Sequence, residues 1–137
     1  MVRQKSIFRR LEKLDEYLDI LYDLQRYSFD EFVSDPKIYG SAERFLHLSI
    51  EAVNDVANHI IADQKLGVVG GYSDIPDVLA KKGYLDEITR ETWAKMSSFR
   101  NVLVHHYIDI DQQIVYETLH TRLEFIESLK KVFAQFL

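Results

Sequence analysis

The sequence predicts an all-α fold, a bundle of four long helices and one short helix. Three observations carry this. Apolar residues recur at three- and four-residue spacings along most of the chain. Five Gly and two Pro in 137 residues are too few turn-formers for a many-stranded sandwich. An apolar content of 47% with 28% charged residues supports a packed core and not a disordered chain. The length suits one domain over residues 1–137, burying roughly two-thirds of its unfolded surface.

The first helix is predicted from about Arg3 to Arg26. Ile7, Leu11, Leu14, Leu18 and Leu21 form its stripe, and Phe8, Tyr17, Ile20 and Leu24 widen it. Asp35 before Pro36 marks the next start: a capping carboxylate, then a proline whose missing N–H costs nothing there. This second helix is expected over Pro36–Gln64, with Ala42, Phe45, Leu46, Val53, Val56, Ala57, Ile60 and Ile61 inward and Gly40 loosening its start. KLGVVGGYSD reads as a flexible loop. Ser73 or Asp74 then caps a short helix through Lys82, stopped by Gly83. Asp86 opens a helix running to about Tyr107, with Ile88, Thr92, Lys95 and Phe99 on one side and Trp93, Met96, Leu103 and Val104 supplying apolar contacts. Asp109 or Asp111 opens the last helix, whose stripe is Val115, Leu119, Leu123, Ile126, Leu129, Phe133 and Phe136. The long apolar stripes of the first and last helices suggest surplus greasy surface for a dimer.

Composition also excludes classes of function. With no Cys there is no disulfide, thiolate metal site or cysteine nucleophile, and a cytoplasmic location fits. A net charge of −5 argues against a chain that merely coats nucleic acid. The charged start MVRQKSIFRR lacks a signal-peptide apolar run, and no stretch has the length of a membrane span, so the expectation is a soluble protein.

The densest chemistry lies at Arg100-Asn101-Val102-Leu103-Val104-His105-His106-Tyr107. Arg offers a rigid fork of donors for phosphate oxygens, and His moves protons near neutral pH. Together they suffice for phosphodiester chemistry without a metal. The plainer reading is a helix end with polar surface residues. Residues five apart lie ~140° apart around a straight helix. Arg100 and His105 therefore converge only if the helix tightens or ends near Val104, or if a second chain completes the site. His47, Glu51, Asp55 and His59 form a row at four-residue spacing on the second helix, a candidate metal row or a polar flank of ion pairs. GVVGGYS lacks the Lys-Ser/Thr of a phosphate cradle and reads as a connector. Arg3, Lys5, Arg9, Arg10 and Lys13 make a basic N-terminal stretch, either RNA-facing or a solvated helix face.

RNVLVHHY resembles the signature of the HepT-like branch of the HEPN superfamily: Arg-Asn, Leu two residues on, then His-x-Tyr, here Arg100, Asn101, Leu103, His105 and Tyr107. KIYGSAERFLHLSIEAVNDVANHII and GYSDIPDVLAKKGYLD are similar to the family's second helix and its short helix, so the resemblance covers nearly the whole chain. It implies an all-helical, HEPN-like homodimer whose Arg/His motifs face a shared cleft. It implies a metal-independent endoribonuclease toxin paired with a minimal nucleotidyltransferase antitoxin that transfers AMP onto Tyr107. Arg100 and His105 would then be catalytic, with Asn101 orienting His105 or a phosphate and Tyr107 positioning the scissile phosphate; His106 lies outside the motif. The expected partners are RNA, the antitoxin and a second copy, with no DNA, membrane, cofactor or metal. The alternative is a non-catalytic substrate-binding partner of a nucleotidyltransferase.

Overall fold

The computed structural model describes residues 2–106 and 108–137, with side chains from Gln4 onward. Tyr107 lies outside the described residues. Among them there are seven α-helices, one 3-10 turn and no strand: α1 (Val2–Leu24), α2 (Phe29–Ser34), α3 (Pro36–Gln64), the 3-10 turn (Tyr72–Asp74), α4 (Ile75–Lys81), α5 (Glu87–His105), α6 (Gln112–Thr121) and α7 (Leu123–Ala134). The all-α expectation holds; the count of four long helices and one short does not.

The extra helices have local causes. Ser28 caps α2 by accepting the Glu31 N–H, while Glu31 reaches back to the Ser28 N–H. This capping box stabilises a helix of six residues, too short to show a period. The expected last helix is broken at Arg122. In an unbroken helix the Leu119 carbonyl would accept the Leu123 N–H; it accepts the Gln25 side-chain amide at 2.9 Å. A side chain inserted into the ladder bends the chain there. Both halves still bury one stripe: Val115, Leu119, Leu123, Ile126, Leu129 and Phe133 are all within 1% of full burial.

α3 is the axis of the molecule. At 29 residues it is about 43 Å long. It starts as the Asp35-Pro36 pair predicts, with Asp35 accepting the Lys37 N–H, and runs unbroken through Gly40. It packs against α1, α2, α4, α5, α6 and α7, most extensively α1. The stripes from Ile7 to Leu21 and from Val115 to Phe133 go into this core, whereas Phe8 (48%) and Ile20 (38%), which widen the first, stay exposed. Asp86 and Asp111 cap α5 and α6 through the Thr89 and Gln113 N–H groups. Asp74 behaves differently, accepting the Gly70 N–H and making no cap bond to α4. Gly83 ends the α4 segment at φ +84°, a left-handed conformation that favours glycine. On α5 the buried face is Trp93, Met96, Ser97 and Leu103, whereas Ile88 is 76% exposed. Trp93 donates its indole N–H to Asn54 Oδ1 at 2.8 Å, and Asn54 reaches Ser97 Oγ at 3.4 Å, which fixes the register of α5 on α3. Among the described residues no helix is long and apolar enough to cross a membrane.

Candidate functional site

The Arg-Asn-x-Leu-x-His stretch forms the C-terminal end of α5, which stops at His105. Arg100 turns inward, its side chain 19% exposed. Its Nε donates to Glu51 Oε2 at 3.3 Å, and its Nη2 lies 2.9 and 3.1 Å from the two Glu51 oxygens. This is a guanidinium-carboxylate fork between α5 and the middle of α3. Nη1 donates to Asn101 Oδ1 at 3.2 Å, which leaves one Nη1 hydrogen for an incoming acceptor.

Glu51 is held from its other side as well. His47, one turn earlier, lies with Nε2 2.7 Å from Glu51 Oε2. A carboxylate only accepts, so His47 carries a proton on that nitrogen. Burial pushes the Glu51 carboxyl up, but the hydrogen bonds and charges of Arg100 and His47 outweigh this and hold its pKa below the usual range. One turn later, Asp55 accepts the Tyr72 hydroxyl at 2.5 Å. Burial, this hydrogen bond and the Asp55 and Glu51 charges push the Tyr72 phenol up to about 12. The row of His47, Glu51 and Asp55 is thus a hydrogen-bonded flank that positions Arg100 and Tyr72. Among the described residues no three His, Asp or Glu side chains are gathered as a metal ion would need.

Two recesses adjoin this network, one at Arg100 and one at His47. One of about 130 Å³ is lined by Asn54, Tyr72, Ser97, Arg100 and Asn101. The other, of about 330 Å³, lies between the start of α3 and the end of α5 and is lined by Glu43, Arg44, His47, Leu103 and Val104. His105 and His106 are exposed at the helix end, beside the exposed apolar residues Val102 (38%) and Ile108 (82%). The structure therefore brings Arg100 and Asn101 together and leaves His105 on a different face, as the helical angle predicts. The sequence reading placed Glu51 and Asp55 in a row that was either a metal row or a polar flank of ion pairs, and Tyr72 in a connector; the structure shows the flank. The i, i+4 spacing of His47 and Glu51 was their only signal; nothing local links either to α5.

Known proteins are similar to this chain in sequence and in fold. The chain is similar to the tRNA nuclease HepT of Aphanizomenon flos-aquae, with 31% identity over 115 residues, covering 84% of this chain and 78% of that one. It is 30% identical to the mRNA nuclease HepT of Shewanella oneidensis over 97 residues, covering 71% and 73%. Its fold superposes with a TM-score of 0.85 on a tri-AMPylated HEPN toxin of Shewanella oneidensis in complex with an MNT antitoxin, at 24% identity over 94% of this chain and 96% of that one. The Ribonuclease HepT-like family matches residues 7–133, a span that takes in the capped helices, the Glu51–Arg100 fork and the exposed His105. The chain belongs to that family.

Proposed function

We propose that this protein is an endoribonuclease toxin that cuts RNA with Arg100 and His105, without a metal ion, and that a nucleotidyltransferase antitoxin neutralises it. The observation that carries this is the fork on Arg100: a guanidinium fixed in place by Glu51, with an unused N–H, at the family's motif position. The RNA 2′-hydroxyl attacks the adjacent phosphorus and the 5′-oxygen leaves, giving a 2′,3′-cyclic phosphate and a 5′-hydroxyl. His105 moves the proton, and Arg100 stabilises the extra negative charge of the transition state. Preorganisation by Glu51 means the guanidinium need not reorient as that charge develops. Asn101 holds the Nη1 side of the guanidinium and so directs its free hydrogen.

Because Arg100 points inward and His105 outward, the working pair is assembled from two copies of the chain. The exposed Val102 and Ile108 beside His105 offer apolar surface for that contact. Tyr107 is the AMP acceptor in this proposal. A bulky anion there repels RNA phosphates and closes the site. The solved relative carrying AMP and bound to an MNT antitoxin supports this part. The test is RNA cleavage by purified protein in EDTA. Arg100→Ala and His105→Ala should each abolish it while the protein stays folded, and unchanged cleavage by the His105 variant overturns the mechanism. Co-expression with the antitoxin should add AMP mass to the peptide containing Tyr107.

A further inference from the structure

The basic start of α1 takes no part in the chemistry above. Residues 1–13 carry five cations and one carboxylate, whereas residues 14–24 carry four carboxylates and no cation. This opposes the helix dipole, which favours acids at the N-terminus and bases at the C-terminus. Accordingly α1 has no acid in its first turn and no base in its last. An arrangement that weakens its own helix, in a chain of net charge −5, points to a task other than folding.

Three of those cations, Arg9, Arg10 and Lys13, line a cavity of about 310 Å³ between α1 and α3, together with Tyr17, Glu51 and Asp55. The cations are loosely held. Arg9 makes no ion pair among the described residues. Lys13 meets Glu16 at 3.2 Å, but both side chains are more than half exposed, so the pair is weak. Arg10 Nε lies 3.9 Å from Asp55, and its Nη1 donates to Ser6. Glu51 is already neutralised by Arg100, which lies outside the lining, so three cations face one uncompensated carboxylate, Asp55. The cavity therefore presents spare positive charge beside an aromatic ring. Tyr17 is backed by Phe45, its ring centroid 5.9 Å away. Glu51 lines this cavity and also holds Arg100, so the cavity adjoins the reacting position.

We infer that the α1–α3 cavity is a subsite for the phosphodiester backbone of single-stranded RNA. Arg9 and Lys13 contact a phosphate neighbouring the one at Arg100, and Tyr17 stacks a base. The identity of the strand rests on the nuclease reading above; the charge and shape of the subsite do not.

The experiment measures fluorescence anisotropy of labelled, fully 2′-O-methylated oligouridylates, which cannot be cut, in a length series and a salt series. Arg9→Gln, Lys13→Gln and the double variant are compared with Lys37→Gln, a control at the exposed start of α3. Arg9 and Lys13 are exposed, and a thermal melt verifies that each variant is folded. Affinity should rise with strand length. The double variant should bind about tenfold more weakly, and its slope of log affinity against log salt should shrink by about 0.7 per cation removed. Equal affinity and slope in wild type and double variant overturn the subsite, as does wild type that fails to bind the strands. Binding of AMP or inorganic phosphate without any gain from strand length overturns it as well. Binding that depends on Arg9 and Lys13, in a protein that cuts no RNA, keeps the subsite and removes the nuclease reading. Cutting with binding independent of both cations does the reverse.

Discussion

Arg100 and Glu51, 49 residues apart in the chain, close a fork in which the guanidinium Nε and Nη2 meet both carboxylate oxygens at 2.9–3.3 Å. The fork joins α5 to α3 and, through His47, fixes the plane of the guanidinium.

Glu51→Gln keeps the size of the side chain but removes the charge and half of its acceptors. The guanidinium is then free to rotate. Cleavage should lose about tenfold in kcat, as expected for a misplaced catalytic group, while KM changes far less. Stability should fall by roughly 1–2 kcal/mol, read as a lower urea midpoint, because a charge-assisted pair at a partly buried site is lost. A purely structural Glu51 would lower the midpoint and leave kcat per folded molecule untouched.

The fork also sets a pH dependence. The Glu51 carboxyl has a folded pKa below its ordinary 4.5, so its stabilisation is fully present above about pH 4.5 and is lost as pH falls through the depressed folded value. The groups facing it are Arg100 and His47. The difference in urea midpoint between wild type and Glu51→Gln should be constant above that window and shrink below it. A gap that widens on acidification would contradict the assignment.

If the working site takes Arg100 from one copy and His105 from another, two dead variants should rescue each other. In a re-equilibrated equal mixture of Arg100→Ala and His105→Ala, half the dimers are mixed, and each has one of two sites intact. About a quarter of wild-type cleavage should return. A mixture that stays inactive would place both groups in one protomer. The His105 variant alone should melt with the wild type, since His105 is exposed.

Asn54 is fully buried and serves both Trp93 and Ser97. Asn54→Ala leaves the indole N–H without its partner and opens a small void, which should cost about 2–3 kcal/mol. Chemical denaturation followed by the fluorescence of the one tryptophan reads this directly. A neutral substitution would show that α5 is registered by packing alone.

Much of the fold was legible locally. Asp35-Pro36, Asp86 and Asp111 announce helix starts because a capping carboxylate satisfies backbone donors within three residues of itself. The stripes from Ile7 to Leu21 and from Val115 to Phe133 are buried because helical period alone sets which face is apolar. The capping box at Ser28 and Glu31 was equally present in the residues, but a helix of six leaves no period to read. The site was half legible. Arg100, Asn101 and His105 stand together in the chain, and the angle between residues five apart already separates the arginine from the histidine.

The amino-acid sequence by itself determined the long helices, the caps at Asp35, Asp86 and Asp111, the main apolar stripes and the presence of one arginine-histidine motif. Only the tertiary structure decided that Glu51 belongs to Arg100, that Asp55 takes the Tyr72 hydroxyl, and that Gln25 interrupts the helix at Leu119. The reason is range. Caps and stripes are energies between residues a few positions apart, which periodicity encodes, whereas these contacts join residues 49, 17 and 94 positions apart and exist only once the helices have packed on α3.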